Sequence, residues 1–344
     1  MDSYHRAIWC RQDGASRFRL LVLALLLGVT VGCVGADAGR LPRANLVTGG
    51  TGSDWDRIGS AIAQRTNAYF SGQPVTAVPG AGGISNPARV GLVPGDFGIS
   101  FLSFLSAARL GEPPYSRAFP DLRHVATLLQ NKLHLIARPS LSVSTLDEIV
   151  ARRLPVRIGT GPPGSAEEFL LRESLAVLKV TYNDIRSWGG RIDLLGSGER
   201  ADLFRDGHID LIAFHSADPS ATVTELMVSH PGRFLSVGAG IRESLAARWG
   251  VKPLTFEAGH YPNLTDNVDT VGLEFGIFTT TDVSEELVYA MVRSIDENVN
   301  YLGNVHTGFK SWDPRSMVRN GKVPTHPGAL RYFDEKGWTS ESAR

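Results

Sequence analysis

The chain has 344 residues, 42% of them hydrophobic and 20% charged, and its 35 basic and 35 acidic side chains cancel to a formal charge of +0. That balance excludes the electrostatic footprint of a nucleic-acid binder or of a protein held on anionic lipid. The length exceeds what one core usually serves and fits two domains, while 37 Gly and 19 Pro punctuate many short elements.

Residues 1–38 read as an export signal, in which Arg6, Arg11, Arg17 and Arg19 precede the apolar run 20–29, too short to span a bilayer comfortably. No later stretch approaches the roughly 20 apolar residues of a transmembrane helix. The segment offers two exits. Ala36-Asp37-Ala38 is an A-x-A cleavage site, and Thr30-Val31-Gly32-Cys33 is similar to a lipobox that would leave Cys33 as a lipidated first residue, with Thr30 in place of the usual Leu. Cys10 and Cys33 are the only cysteines, so the fold needs no disulfide and suits an oxidising compartment. The expected location is periplasmic or extracytoplasmic, with Cys33 deciding whether the chain stays on the membrane.

Ala44, Asn45, Leu46 and Val47 read as a strand, followed by Gly49, Gly50, Thr51, Gly52 and Ser53 as a turn and by a helix capped by Asp54, with Ile58, Ala61 and Ile62 on its apolar face. Such a turn gathers backbone N–H groups at a helix N-terminus, where an anion is favoured. It is no nucleotide loop: a P-loop needs Lys followed by Ser or Thr, and a dinucleotide fingerprint needs Gly where Trp55 stands. Trp55, in the first helical turn, either packs into the core or walls the site beside the turn. Ala81-Gly82-Gly83 gives a further turn before a helix with Asn86 as cap and Pro87 at its first position. Residues 93–103 place a Gly turn, a buried strand and then Ser100, Phe101, Leu102 and Ser103. Residues 111–122 are a proline-broken loop, and 133–139 read as a strand leaving the first unit, just after Asn131 and Lys132. Thr145 and Glu148 form a capping box.

A second loop then echoes the first. Val156 to Ile158 lead as a strand into Gly159-Thr160-Gly161-Pro162-Pro163-Gly164, and Ser165 caps a helix with Glu167 and Glu168 in its first turn. Residues 205–216 echo 93–103, ending on Phe214, His215 and Ser216. The chain is therefore expected to hold two similar α/β units facing one cleft, with ligand beyond the strand ends. Paired helix N-termini favour a carboxylate there, with Asn131, Lys132 or Arg200 as partners and with Trp55, Phe101, Trp188 and Phe214 as an apolar wall. Residues 271–279 pair with 133–137 as hinge strands, and the helix after Ser284 returns the chain to the first unit. This gives domain I as 40–136 with 268–344, and domain II as 137–267.

The stretches TGGTGSDW, VPGAGGISNPARVGLVPGDFGISFLS, LLQNKLHLIARPSLSVSTLDEI, IGTGPPGSAEEFLLRESL, RADLFRDGHIDLIAFHSADPSATVTEL and VPTHPGALRYFDEKGW occur in one order over nearly the whole exported part. In these the chain resembles the TAXI family of extracytoplasmic solute receptors. The resemblance implies a two-domain class II periplasmic-binding fold, no catalysis, no cofactor or metal, and delivery of a small carboxylate to an integral-membrane TRAP-type permease. Family ligands include glutamate-like amino acids and C4 or C5 dicarboxylates. The chain departs from the family at Trp55-Asp56, in the long approach 187–199, and at Leu102 and Phe104, and the departures at Trp55 and Leu102 point to a less polar solute than glutamate. The site expected on these grounds comprises Gly50, Thr51, Gly52, Ser53, Trp55, Gly82, Gly83, Ser100, Ser103, Asn131, Gly161, Gly164, Ser165, Trp188, Phe214 and His215. An enzyme is the rival class, suggested by His208-Ile209-Asp210 and His215-Ser216, but no nucleophile elbow or metal-binding motif supports it. A receptor that signals to a kinase would use the same cleft.

Overall fold

The computed structural model describes residues 43–338; the expected signal, Cys10, Cys33 and the site at 36–38 lie outside the described residues. In chain order, β1 (Ala44–Val47), α1 (Asp54–Asn67), β2 (Val75–Val78), α2 (Asn86–Leu92), β3 (Phe97–Phe101) and α3 (Leu102–Leu110) build the first half. The long β4 (Leu122–Ala137) leads to α4 (Leu146–Ala151), β5 (Arg157–Thr160), α5 (Ala166–Val177), α6 (Tyr182–Ser187), β6 (Arg191–Leu194), α7 (Ser197–Arg205) and β7 (Leu211–Ala217). There follow α8 (Ala221–Ser229), β8 (Arg233–Phe234), α9 (Ala239–Trp249), β9 (Lys252–Phe256), the long β10 (Val268–Thr280), α10 (Glu285–Glu297), α11 (Val299–Val305) and α12 (Pro327–Glu335).

The sheet runs β2-β1-β3-β10-β4-β7-β5-β6, with β8 beside β4 and β9 beside β10. Its two halves have the same construction. β1 lies parallel to β2 and β3, and β10 closes β3 antiparallel; β5 lies parallel to β6 and β7, and β4 closes β7 antiparallel. All five residues of β3 are buried, as expected of a strand covered on both faces. This is the mixed α/β arrangement of class II periplasmic-binding proteins.

The structure modifies several local expectations. Ser53, not Asp54, caps α1: its Oγ accepts from the Asp56 N–H at 3.3 Å, and Asp54 instead pairs with Arg57 inside the first turn. Ser53 wins because the extended backbone before the helix aims its short side chain at the free amides. Asn86 is a helical residue and not a cap; its buried amide donates to the carbonyls of Thr48 at 2.8 Å and Ile99 at 2.9 Å, tying the loop after β1 to β3. Thr145 caps α4 through Glu148 N–H at 3.2 Å, while the Glu148 carboxylate reaches the Ser144 amide instead of closing the box. The central strands are longer than their patterns, because buried apolar runs carry no end signal. β10 pairs with residues 122–132 of β4, whereas Leu133–Ala137 pair with β7. Ser284 caps α10 as expected, through the Leu287 amide at 3.3 Å. The returning chain lies on α1, where Thr66 Oγ1 meets Ser294 Oγ at 3.0 Å and Tyr301 donates to Gln64 at 2.9 Å.

Candidate functional site

Both glycine loops follow one local plan. Thr48-Gly49-Gly50-Thr51-Gly52-Ser53 and Thr160-Gly161-Pro162-Pro163-Gly164-Ser165 each place a positive-φ glycine (Gly52 at 76°, Gly164 at 90°) directly before the capping serine. In each, the serine amide donates to a carbonyl three residues back, Gly50 or Pro162, at 3.0 Å. An added Cβ at Gly49 or Gly161 would sit 2.6 or 2.2 Å from the serine Oγ, so the first glycine of each loop leaves room for the cap. Across the cleft the second loop meets the turn at 82–85: a Cβ on Gly82 would lie 2.9 Å from the Gly164 carbonyl oxygen, and one on Gly164 would lie 1.9 Å from Ser85 Oγ.

Between them lies a cavity of about 200 Å³, ample for a small organic molecule. Gly50, Thr51, Gly52, Ser53, Trp55, Gly82, Gly83, Asn131, Ser165, Phe214 and His215 border it, as does Arg200. Four helices of nine or more residues open onto it with their N-termini: α1 at Ser53, α5 at Ser165, α7 at Gly196 and α8 at Ser220. The sequence reading missed the last two. Gly196 has no side chain to advertise a cap, and Ser220 has Val223 where a capping box would show an acid. It also passed over Asp54 and Glu167 as acids of the cavity wall.

Other expected positions fall elsewhere. Ser100 stands behind the wall, its Oγ donating to the Gly83 carbonyl at 2.5 Å and holding that turn in place. Gly161 and Gly164 shape their own loop and do not border the cavity. Ser103 is carried by α3 to the C-terminal end of α9, beside Gly250. Trp188 ends α6 before the N-terminal end of the edge strand β6, whereas the cavity lies beyond that strand's C-terminal end at Gly196 and Ser197, so it forms no wall. Lys132 is no countercharge for a ligand: its ammonium pairs with Asp218 at 2.8 Å and donates to the Thr255 carbonyl at 2.9 Å. Leu102 and Phe104 are buried packing residues, Phe104 against Phe169 with ring centroids 5.1 Å apart, so their departure from the family bears on the core.

Trp55 takes both of its expected parts. It packs on Phe101 and Phe275, with centroids 4.8 and 4.9 Å apart, and it borders the cavity beside Phe101 and Phe214. Arg200 is 1% exposed; it donates to the Leu195 carbonyl at 2.8 Å and to Glu167 at 3.1 Å, over the face of Phe214. Burial lowers its pKa and the Glu167 carboxylate opposes that shift. Asn131 sits where β4 passes from β10 to β7; its amide donates to the His215 carbonyl at 3.1 Å, and its Oδ1 has no partner. Burial pushes His215 down to about 3, so the imidazole is neutral, and neither ring nitrogen has a protein partner. The rival acid–base pair at His208-Ile209-Asp210 is structural, with Asp210 receiving the Arg157 backbone amide and guanidinium at 2.9 Å each.

Residues 46–337 match the NMT1-like family over nearly all of the described chain. The chain belongs to that family. It is a family of solute-binding proteins of the TAXI/TRAP type, which makes this protein a receptor and not an enzyme. Two solved structures show the same fold. MatC from Rhodopseudomonas palustris with bound malate is 15% identical, with a TM-score of 0.53 over 88% of this chain and 99% of that one. The periplasmic binding protein BugD is 13% identical, with a TM-score of 0.52 over 86% and 98%. Among the described residues no helix is long and apolar enough to cross a membrane.

Proposed function

We propose that this solute-binding protein captures a small carboxylate outside the cytoplasm and delivers it to a TRAP-type permease. The convergence of four helix N-termini on a cavity that also holds a buried guanidinium carries the reading. Free N–H groups and aligned peptide dipoles at such ends stabilise an anion without a mobile countercharge. MatC, of like fold, was solved with malate, which agrees with an organic acid as the solute class. Residues 40–136 with 268–344 and residues 137–267 act as the two clasping bodies, joined through β4 and β10.

Isothermal titration of the purified protein with a panel of small organic acids tests the capture. One-to-one binding that weakens in the Arg200→Met variant is expected, and a panel with no binder at all overturns the reading. Delivery is tested by uptake in vesicles that contain a TRAP permease, which should need both the receptor and its solute. Anchoring through Cys33 is tested by metabolic labelling with a palmitate analogue; an unlabelled protein beginning at Gly39 rejects the anchor and keeps export.

A further inference from the structure

We infer that the cavity selects a monoanionic carboxylate with a flat apolar body and a neutral hydrogen-bonding group, and turns away dicarboxylates. The inference rests on the carboxylate reading above and narrows it. Its first support is the charge around the cavity. Arg200 is the one cation among the described bordering residues, and it already serves Glu167 at 3.1 Å; Asp54 adds a second acid. The four helix ends at about half a charge each, together with Arg200, stand against these two acids and leave about one positive charge, enough for one carboxylate. A second would be buried among carboxylates with no free cation to meet it, which is strongly unfavourable.

The second support is the remaining wall. Trp55, Phe101 and Phe214 present ring surface to the cavity, which suits an apolar or aromatic body. Set among these rings are unpartnered polar atoms on side chains more than nine-tenths buried: Trp55 Nε1, Asn131 Oδ1 and both nitrogens of His215. A neutral imidazole supplies one donor and one acceptor, the indole N–H a donor, and the amide oxygen an acceptor. A hydroxyl can accept from both donors and give its proton to one of the two acceptors, whereas a carboxylate at that place only accepts and leaves both acceptors unmet.

Titration calorimetry with para-hydroxybenzoate, benzoate, terephthalate and adipate tests the inference. Para-hydroxybenzoate should bind tightest, benzoate about tenfold more weakly for want of the hydroxyl, and terephthalate at least about a hundredfold more weakly for its second charge. Glu167→Gln should narrow the gap between terephthalate and para-hydroxybenzoate. If terephthalate or adipate equals or exceeds para-hydroxybenzoate, the inference falls and the carboxylate reading stands. If none of the four binds and a wider acid panel also fails, both fall together.

Discussion

Around the cavity, the loop before α1 and the loop before α5 share sequence pattern, turn and cap, yet they spend their donors differently. In the first, the Gly52 amide already donates to Asp56 Oδ2 at 2.9 Å, and Asp54 faces the same helix end. In the second, Glu167 is turned toward Arg200, and the ends of α7 and α8 open beside it. Both ends carry two acids in the first turn, but on α1 Asp56 takes a loop amide, whereas on α5 Arg200 holds Glu167 and Arg172 holds Glu168, which leaves the loop amides to a ligand. Like loops therefore do not make like half-sites. Anion affinity is concentrated on the α5, α7 and α8 side, and the α1 side contributes shape through Trp55.

The hardest test of this asymmetry is to remove a charge from each side. Arg200→Met strands Glu167 in a poorly solvated wall and should cost about 3–5 kcal/mol of stability in urea melts. The double variant with Glu167→Gln should recover most of that loss. Asp54→Asn, whose partner Arg57 is exposed, should cost less than about 1 kcal/mol. Equal losses on the two sides would end the comparison.

The caps give a second test. Ser53→Ala and Ser165→Ala should each destabilise by about 1 kcal/mol. Both hydroxyls only accept in their caps, but the first loop already gives its Gly52 amide to Asp56, so Ser165→Ala should weaken carboxylate binding by about 1.5–3 kcal/mol in calorimetry and Ser53→Ala by less.

His215 sharpens the picture through pH. Its folded pKa, about 3, lies below the ordinary 6.5, so below pH 6.5 the unfolded chain binds a proton that the folded one refuses. Stability is therefore full above pH 6.5 and is lost as pH falls toward 3, with a slope of about 1.4 kcal/mol per pH unit from this residue. His124 and His134, also buried and lowered to about 3 and about 4, act in the same direction. In denaturation measured at pH 6 and pH 5, His215→Asn should flatten the slope by one proton; an unchanged slope would show that the imidazole takes its proton inside the fold. The smallest effect is expected at Asp56→Asn. Freeing the first helix end should tighten carboxylate binding by about 0.3–1 kcal/mol, and the gain should fade in high salt.

Much of this was legible in the sequence where local chemistry decides structure. The strand–glycine–serine–helix order at 44–67 and 157–177, and the helix start at Ser284, follow from turn and cap chemistry acting over a few residues. The likeness of the two halves was legible for the same reason. What escaped depends on distant neighbours. Trp188 and Ser103 have suitable chemistry, but Trp188 stands at the end of β6 away from the cavity and α3 carries Ser103 to the end of α9. Lys132 stands next to Asn131, and strand alternation sends the two side chains to opposite faces, one to Asp218 and one to the cavity. The ends of α7 and α8 become site elements only through the path of β7 and the loops around it.

The interleaving of the halves bears on when the protein can fold. β3 has β1 on one side and waits for β10 on the other, and the outer face of α1 waits for α10 and α11. A ribosome or a translocation pore releases the chain from its N-terminus, so the first half stays unfinished until those late elements emerge. Pairings so distant in sequence form slowly. The leading part of the chain thus lacks its closing partners while the rest is still being made, and the closing segment of the gene sets the moment at which the receptor becomes whole.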